Sequence, residues 1–428
     1  PKKHQLALIA SGVLALSPWH IQLSRVAFEA NLAATLNLAG VYFFLASRRH
    51  PWLLIVSLVS FVATVYTFNA NRLLAPLLLI FLAVLFFKHL WHHKKQSLVT
   101  ALVGVLLILP LVPHLRSPEG KLRWHEVNIF SNLDIIITSN ERIERDGGGV
   151  VTRIIHHRYL SFTKEFLKHY FDHFQGRFLF LAGDGNPRLS TQNVGLLYLI
   201  ELPFLLVGIY ALVKGKQKTT ALVLLGWFLL APIPAATARE TPHALRSISQ
   251  IPTPPIISAL GLVYLLGLRS PRGWLDRLPR GGVLVALYLL SLAYFQIDYY
   301  RYYPKEYAGE WLTAYPKLVE YLRHNPQAQT AQTITVVPDL NRPYIYFLFY
   351  NAYPPADFVS SVDRTGDALG LFTVHGFSKY RFERVPAEEI KSGDVYVVKA
   401  QDSYSGFQKL TDIEDITGKP IFTVLQKS

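Results

Sequence analysis

Nine apolar stretches dominate the chain: residues 5–24, 29–47, 52–68, 72–90, 97–113, 193–213, 219–235, 250–268 and 282–298. A spanning helix needs about 20 mostly apolar residues, so the pattern predicts an α-helical polytopic membrane protein with about nine spans. The loops between the stretches are sorted by charge. Every second loop collects Lys2, Lys3, Arg48, Arg49, Lys88, Lys94, Lys95, Lys214, Lys216, Lys218, Arg269, Arg272, Arg277 and Arg280, opposed only by Asp276. By the positive-inside rule these loops face the cytoplasm. Residues 25–31, 69–72, 114–192, 235–249 and the tail from about 299 then lie on the exoplasmic side, and the expected location is the cytoplasmic (inner) membrane.

Composition agrees with a membrane chain. Of 428 residues, 51% are hydrophobic and 17% charged, where a soluble domain carries about 25% charged residues. The net charge of +14 raises nucleic acid as a partner. The placement argues against it, because the basic residues sit in short inner loops, where they set topology and meet anionic lipid. The absence of cysteine excludes disulfide and thiolate chemistry. There is no methionine and position 1 is proline, so residues upstream, with room for further helices, are expected.

Two domains are expected: a membrane domain over 1–298, with 114–192 as a long exoplasmic loop, and a soluble exoplasmic domain over 299–428. Within the long loop, residues 161–181 place Phe162, Phe166, Tyr170 and Phe174 at helical spacing, which fits an amphipathic helix at the interface or on top of the bundle. Gly147, Gly148 and Gly149 lack the lysine and spacing of a phosphate-binding loop and read as a flexible joint. In the tail, 306–323 reads as a helix, 343–353 as a helix capping a sheet, and 334–338, 369–377, 394–400 and 421–427 as strands. That is a small α/β or α+β domain, large enough to bury its own core.

Ionisable residues gather in the outer turns, where their placement near a membrane is costly unless they pair, line a cavity or bind substrate. The first turn holds His20, Arg25, Glu29 and Asn31; Arg25 is either an ion-pair partner of Glu29 or an anion ligand. Arg72 opens the helix after the second turn. Residues 183–193 offer Asp184, Asn186, Arg188 and Ser190, which form a polar turn or line a site. The densest cluster is Arg239, Glu240, His243 and Arg246. Arg and His can hold a phosphate through charge-assisted hydrogen bonds and stabilise charge that grows on a leaving phosphate. Arg25, Arg72, His243 and Arg246 are therefore the expected phosphate ligands. His20, Glu29, Asp184, Asn186, Arg188 and Glu240 are candidates to line the site. No metal-ligand spacing stands out, and the adjacent pairs His92–His93 and His156–His157 are weak patterns for one.

The runs ALSPWHIQLSRVAFEANLA (15–33), FLFLAGDGNPRLSTQNVGLLYLIELPFLLVG (178–208) and PIPAATARETPHALRSI (232–248) resemble segments of bacterial polyprenyl-phosphate-dependent membrane glycosyltransferases of the GT-C superfamily. Aminoarabinose transferases of lipid A and protein O-mannosyltransferases are relatives in that superfamily. The resemblance covers roughly residues 5–300, and the tail looks like that subgroup's outer domain. It implies transfer of a sugar from a polyprenyl-phosphate donor to a lipid, glycan or protein acceptor outside the cytoplasmic membrane, with a divalent metal as an optional cofactor. The superfamily's catalytic acidic residue lies in its first outer loop, so it is expected upstream of Pro1. A polymerase or ligase of lipid-linked glycans is the alternative chemistry. A transporter fits less well, since the polar groups gather at one face rather than at the midplane of broken helices.

Overall fold

In the computed structural model, residues 2–267, 280–339, 341–366, 372–400, 402 and 404–428 are described. The basic positions Arg269, Arg272 and Arg277, with Asp276, lie outside them, as do residues 369–371 of one expected strand. The chain divides into two compact units, 1–298 and 299–428.

The first unit is helical. Its elements are α1 (Lys2–Leu16), α2 (Pro18–Arg25), α3 (Glu29–Ala46), α4 (Leu53–Thr67), α5 (Asn71–Leu85), α6 (Phe87–His92), α7 (Lys94–Ile108), α8 (Leu111–Arg116), α9 (Pro118–Val127), α10 (Leu133–Arg145), α11 (Val150–Ile155), α12 (Arg158–Asp172), α13 (Glu201–Lys214), α14 (Lys218–Leu230), α15 (Ile233–Ala236), α16 (Thr253–Gly267) and α17 (Arg280–Ile297).

The nine expected spans are not nine long helices. Among the described residues, three helices are long and apolar enough to cross a membrane: Lys218–Ala236, Ile248–Leu266 and Gly282–Glu306. A fourth counts if His4–Leu16 and Pro18–Arg25, bent by 55°, form one broken span. Local chemistry explains the shortfall. Pro18 lacks an N–H and pushes Ser17 into an extended conformation, which breaks the first stretch. The stretch 72–90 breaks at Phe86, and 97–113 breaks beside Pro110. Helices α4, α5 and α7 have 15 residues each, or about 22 Å at 1.5 Å per residue, against a hydrocarbon core of about 30 Å. In α3, Glu29, Asn31 and Asn37 dilute the apolar run.

The stretch 193–213 is helical only from Glu201. Residues before it run as irregular chain against the π-helical turn Arg177–Leu181: Leu197 N–H donates to Leu179 O at 2.7 Å, and Leu196 N–H to Phe178 O at 3.4 Å. Gly195 makes this possible, because a Cβ there would strike the Phe180 backbone. Glycine plays the same part between α13 and α16. A Cβ on Gly208 would meet Ile257 O, and one on Gly261 would meet Phe204 O, so the two backbones touch where small residues permit it. The expected helix 161–181 also ends early, at Asp172. Its Phe162 is buried, and Tyr170 OH donates to Leu229 O at 2.8 Å. Gly147 and Gly148, at φ +87° and +68°, close the C-terminus of α10, where left-handed glycine is favoured.

The second unit carries α18 (Tyr303–Glu306), α19 (Ala314–His324), α20 (Pro326–Thr330), β1 (Ile334–Val336), α21 (Pro343–Tyr350), α22 (Pro355–Ser361), β2 (Asp363–Gly366), β3 (Phe372–Phe377), β4 (Tyr380–Arg381), β5 (Val395–Lys399), β6 (Phe407–Glu414) and β7 (Pro420–Lys427). The sheet order is β2-β3-β4-β1-β5-β7-β6. Strand β1 runs parallel to β4 and β5, and the other pairs are antiparallel. Alternation along β5 sends Val395 and Val397 into the larger core with Leu318 of α19 and Phe347 of α21, while Tyr396 and Val398 join Val337, Ile390 and Leu425 in a second cluster. The helix expected over 306–323 begins only at Ala314, after turns at 307–313.

Candidate functional site

Three segments distant in sequence lock together through buried hydrogen bonds. The bend between α1 and α2 supplies Ser17 and Trp19. Ser17 Oγ donates to Leu196 O at 3.3 Å, Trp19 N–H donates to the same carbonyl at 3.2 Å, and Trp19 Nε1 donates to Ala244 O at 3.1 Å. Trp19 is fully buried. Gln22 Nε2 adds a bond to Arg188 O at 3.4 Å.

Asp184 holds the other two segments to each other. Its Oδ1 accepts Asn186 N–H at 2.8 Å and its Oδ2 accepts Ala244 N–H at 2.6 Å. Its own carbonyl accepts from Ser190 Oγ at 2.9 Å and Gln192 Nε2 at 2.6 Å. Asn186 Oδ1 then accepts Arg188 N–H at 3.0 Å. Burial pushes the Asp184 carboxyl above the usual carboxylate range, and the two N–H donors and the Arg246 charge offset part of that rise.

His173 buttresses the loop from α12. Its Nδ1 faces His169 O at 2.8 Å, and its Nε2 accepts His243 N–H at 3.2 Å. The two contacts fix one neutral tautomer, with the proton on Nδ1. Burial lowers its pKa to about 4, with Arg246 among the smaller causes. Nearby, Thr241 Oγ1 donates to Asp172 Oδ2 at 3.0 Å, and the Thr241–Pro242 peptide is cis.

His243 and Arg246 sit on this base. Arg246 N–H donates to His243 Nδ1 at 3.4 Å, which requires that nitrogen to be unprotonated. The Asp184 carboxylate, 3.8 Å from the same nitrogen, is then a charge neighbour rather than a hydrogen-bond partner. Arg246 Nη1 lies 3.5 Å from Glu240 O, and Glu240 itself is exposed. Arg239 is bound to the backbone, through Nε to Asn128 O and Nη2 to Ser131 O, both at 3.2 Å.

Asp184, Asn186, Arg188, Glu240, His243 and Arg246 thus belong to one locked region. Arg25 and Glu29 are exposed on either side of Ala27, whose φ is +56°. His20 is half-buried in α2. Arg72 is half-buried in the first turn of α5, with its Nε unpartnered among the described residues. Its neighbour Asn71 ties α5 to the same loop: Asn37 Nδ2 donates to Asn71 Oδ1 at 3.1 Å and to Ser249 Oγ at 3.0 Å, and Ser249 Oγ donates to Asn71 Oδ1 at 3.3 Å.

Asp184 spends its oxygens on backbone N–H groups and His173 is neutral, so both position the loop. The chemistry the loop presents is cationic: an arginine, with an imidazole beside it. Among the described residues no three His, Asp or Glu side chains group to hold a metal ion. His156 is engaged by Asp146 at 2.7 Å. Comparison with protein-family models, with curated proteins and with solved structures finds no match to this chain.

Proposed function

We propose that this chain is a membrane glycosyltransferase that moves a sugar from a polyprenyl-phosphate donor to a lipid, glycan or protein acceptor on the exoplasmic side of the cytoplasmic membrane. One observation carries this reading. The three segments that resemble the glycosyltransferases are joined to one another by Trp19, Ser17 and Asp184, and the joint carries His243 and Arg246. The three apolar helices found among the described residues to be long enough to cross a membrane are compatible with a lipid-linked donor.

In this mechanism Arg246, with His243, grips the donor phosphate. As the glycosidic bond breaks, negative charge grows on that phosphate, and fixed cationic donors stabilise it most in the transition state. Arg25 and Arg72 add positive charge from the neighbouring turns. Asp184 and His173 hold the loop so that little reorganisation accompanies the reaction.

The test is transfer of labelled sugar from a polyprenyl-phosphate donor by the natural full-length protein in proteoliposomes. Arg246→Ala should lower transfer by roughly ten- to a hundred-fold, the equivalent of about 1.5–3 kcal/mol for one charge-assisted hydrogen bond. Arg246→Lys should restore only part of it, because an ammonium cannot grip two phosphate oxygens as a planar fork. Transfer at the parent rate by Arg246→Ala, with normal insertion, would refute the assignment.

A further inference from the structure

A cavity of about 360 Å³ lies between α1, α13, α16 and α17. Its walls are apolar, with Phe204 and Leu262 among them, and its polar groups come from Glu201, Ser258 and Tyr288. Two of these are unsatisfied. Glu201 is 1% exposed. Its Oε1 accepts Tyr198 N–H at 3.2 Å and Tyr288 OH at 3.3 Å, while its Oε2 has no partner among the described residues. Ser258, 2% exposed, likewise leaves its Oγ unpartnered.

Buried polar atoms are nearly always hydrogen-bonded, and a carboxylate oxygen left bare is among the costliest exceptions. Both orphans line one cavity, and its volume falls in the roughly 300–1,000 Å³ range of small-ligand sites. The cavity also reaches the outer face of α17, where the lining residues Val285 and Leu289 are 59% and 53% exposed. We infer that it binds a single apolar chain ending in a hydrogen-bond-donating head, a primary amine or a hydroxyl, with the head on Glu201 Oε2 and Ser258 Oγ and the chain against the helix walls. An anionic head fits this place less well than a donor head, because a phosphate or carboxylate would face the Glu201 carboxyl oxygens in an apolar surround. The site is therefore distinct in ligand chemistry from the cationic loop at Arg246, and its test does not depend on sugar transfer.

The test uses the purified full chain in lipid nanodiscs and three decyl photoaffinity probes of equal length, ending in an amine, a hydroxyl or a carboxylate. Labelled peptides are mapped by mass spectrometry. The amine, the hydroxyl or both should label residues lining the cavity at least ten-fold more than the carboxylate, with competition by unlabelled decylamine or decanol. The stronger of the two identifies the head. Glu201→Gln should cut amine labelling at least ten-fold and spare the hydroxyl, since the amide keeps an acceptor and loses the charge. Equal labelling by all three probes, labelling away from the cavity, no labelling, or labelling unchanged in both Glu201→Gln and Ser258→Leu would overturn the inference. The comparison of heads on the unaltered chain stands even where a variant fails to fold.

Discussion

Replacing Asp184 with alanine removes the acceptor shared by two backbone N–H groups from different segments. The two losses are unequal. Asn186 lies in a partly exposed turn, where water can take over its N–H. Ala244 is 0% exposed, so its N–H, now 2.6 Å from Oδ2, would be left bare. A hydrogen bond to a charged group contributes about 1.5–3 kcal/mol, and a buried group left unsatisfied costs about 1–3 kcal/mol. Burial of the carboxylate already opposes its ionised form, which places the expected net loss near the middle of that range, about 2 kcal/mol. Asp184→Asn should cost less, because the amide oxygen still accepts one N–H while its NH₂ faces the other donor, and the charge no longer has to be desolvated. Hydrogen exchange on the peptide covering 240–248, with thermal unfolding in detergent as the global measure, reads both effects. The Ala244 amide should lose most of its protection in Asp184→Ala and part of it in Asp184→Asn. Unchanged protection at Ala244 in the alanine variant would refute the clamp.

Acid should loosen the same loop. His173 is held neutral with a pKa of about 4, against 6.5 in the unfolded chain, so its contribution is complete above pH 6.5 and is lost as pH falls towards 4, in total about 3 kcal/mol. Asp172, His169 and Arg246 are its charged or titratable neighbours. Asp184 opposes this trend at the acid end, since burial makes the folded carboxyl take up its proton before the unfolded one. Protection factors at 240–250, taken relative to the intrinsic exchange rate at each pH, should fall between pH 7 and 5, and His173→Gln should flatten the dependence. Gly208→Ala should drive α13 and α16 apart and lower thermal stability by about 1–3 kcal/mol, the usual cost of overpacking; an unshifted melt would show that the helices can slide to make room. Residues 299–428 expressed alone should unfold cooperatively, and Leu318→Ala, from a fully buried position, should reduce that stability by about 2–5 kcal/mol.

Apolar runs mark where helices form, but not how long each remains a helix. Pro18 was visible in the sequence, yet the irregular chain at 193–200 depends on Gly195 meeting the Phe180 backbone, a contact without a local signature. In the second unit four strands were legible, β1, β3, β5 and β7, and three of them, β1, β5 and β7, are adjacent in the sheet. Strand β6, Phe407–Glu414, is an edge strand carrying Lys409, Asp412 and Glu414, and such charge hides an edge strand from any apolar pattern while protecting it from pairing. At the candidate site, Asp184, His243 and Arg246 stood out because ionisable residues are conspicuous beside apolar helices. Trp19, His173, Asn71 and Ser249 did not, since their roles rest on partners across the fold. The Ser17-Pro18-Trp19-His20 turn drew attention to His20, whereas the indole of Trp19 ties that turn to Ala244.

The order of strands in the second unit also sets when it can fold. Strand β5 sits between β1, which precedes it, and β7, which follows it. Because the chain emerges from its N-terminal end, β5 can pair with β1 as soon as both are out, but its other edge stays open until residues 420–427 follow. During that interval Val395, Val397 and Val398 lie along an unpaired apolar edge, a template for a second nascent chain. Closure of the sheet is thus a late, long-range event in synthesis, and a stop or deletion within 420–427 would remove the strand that seals β5 and would turn a folding domain into an aggregating one.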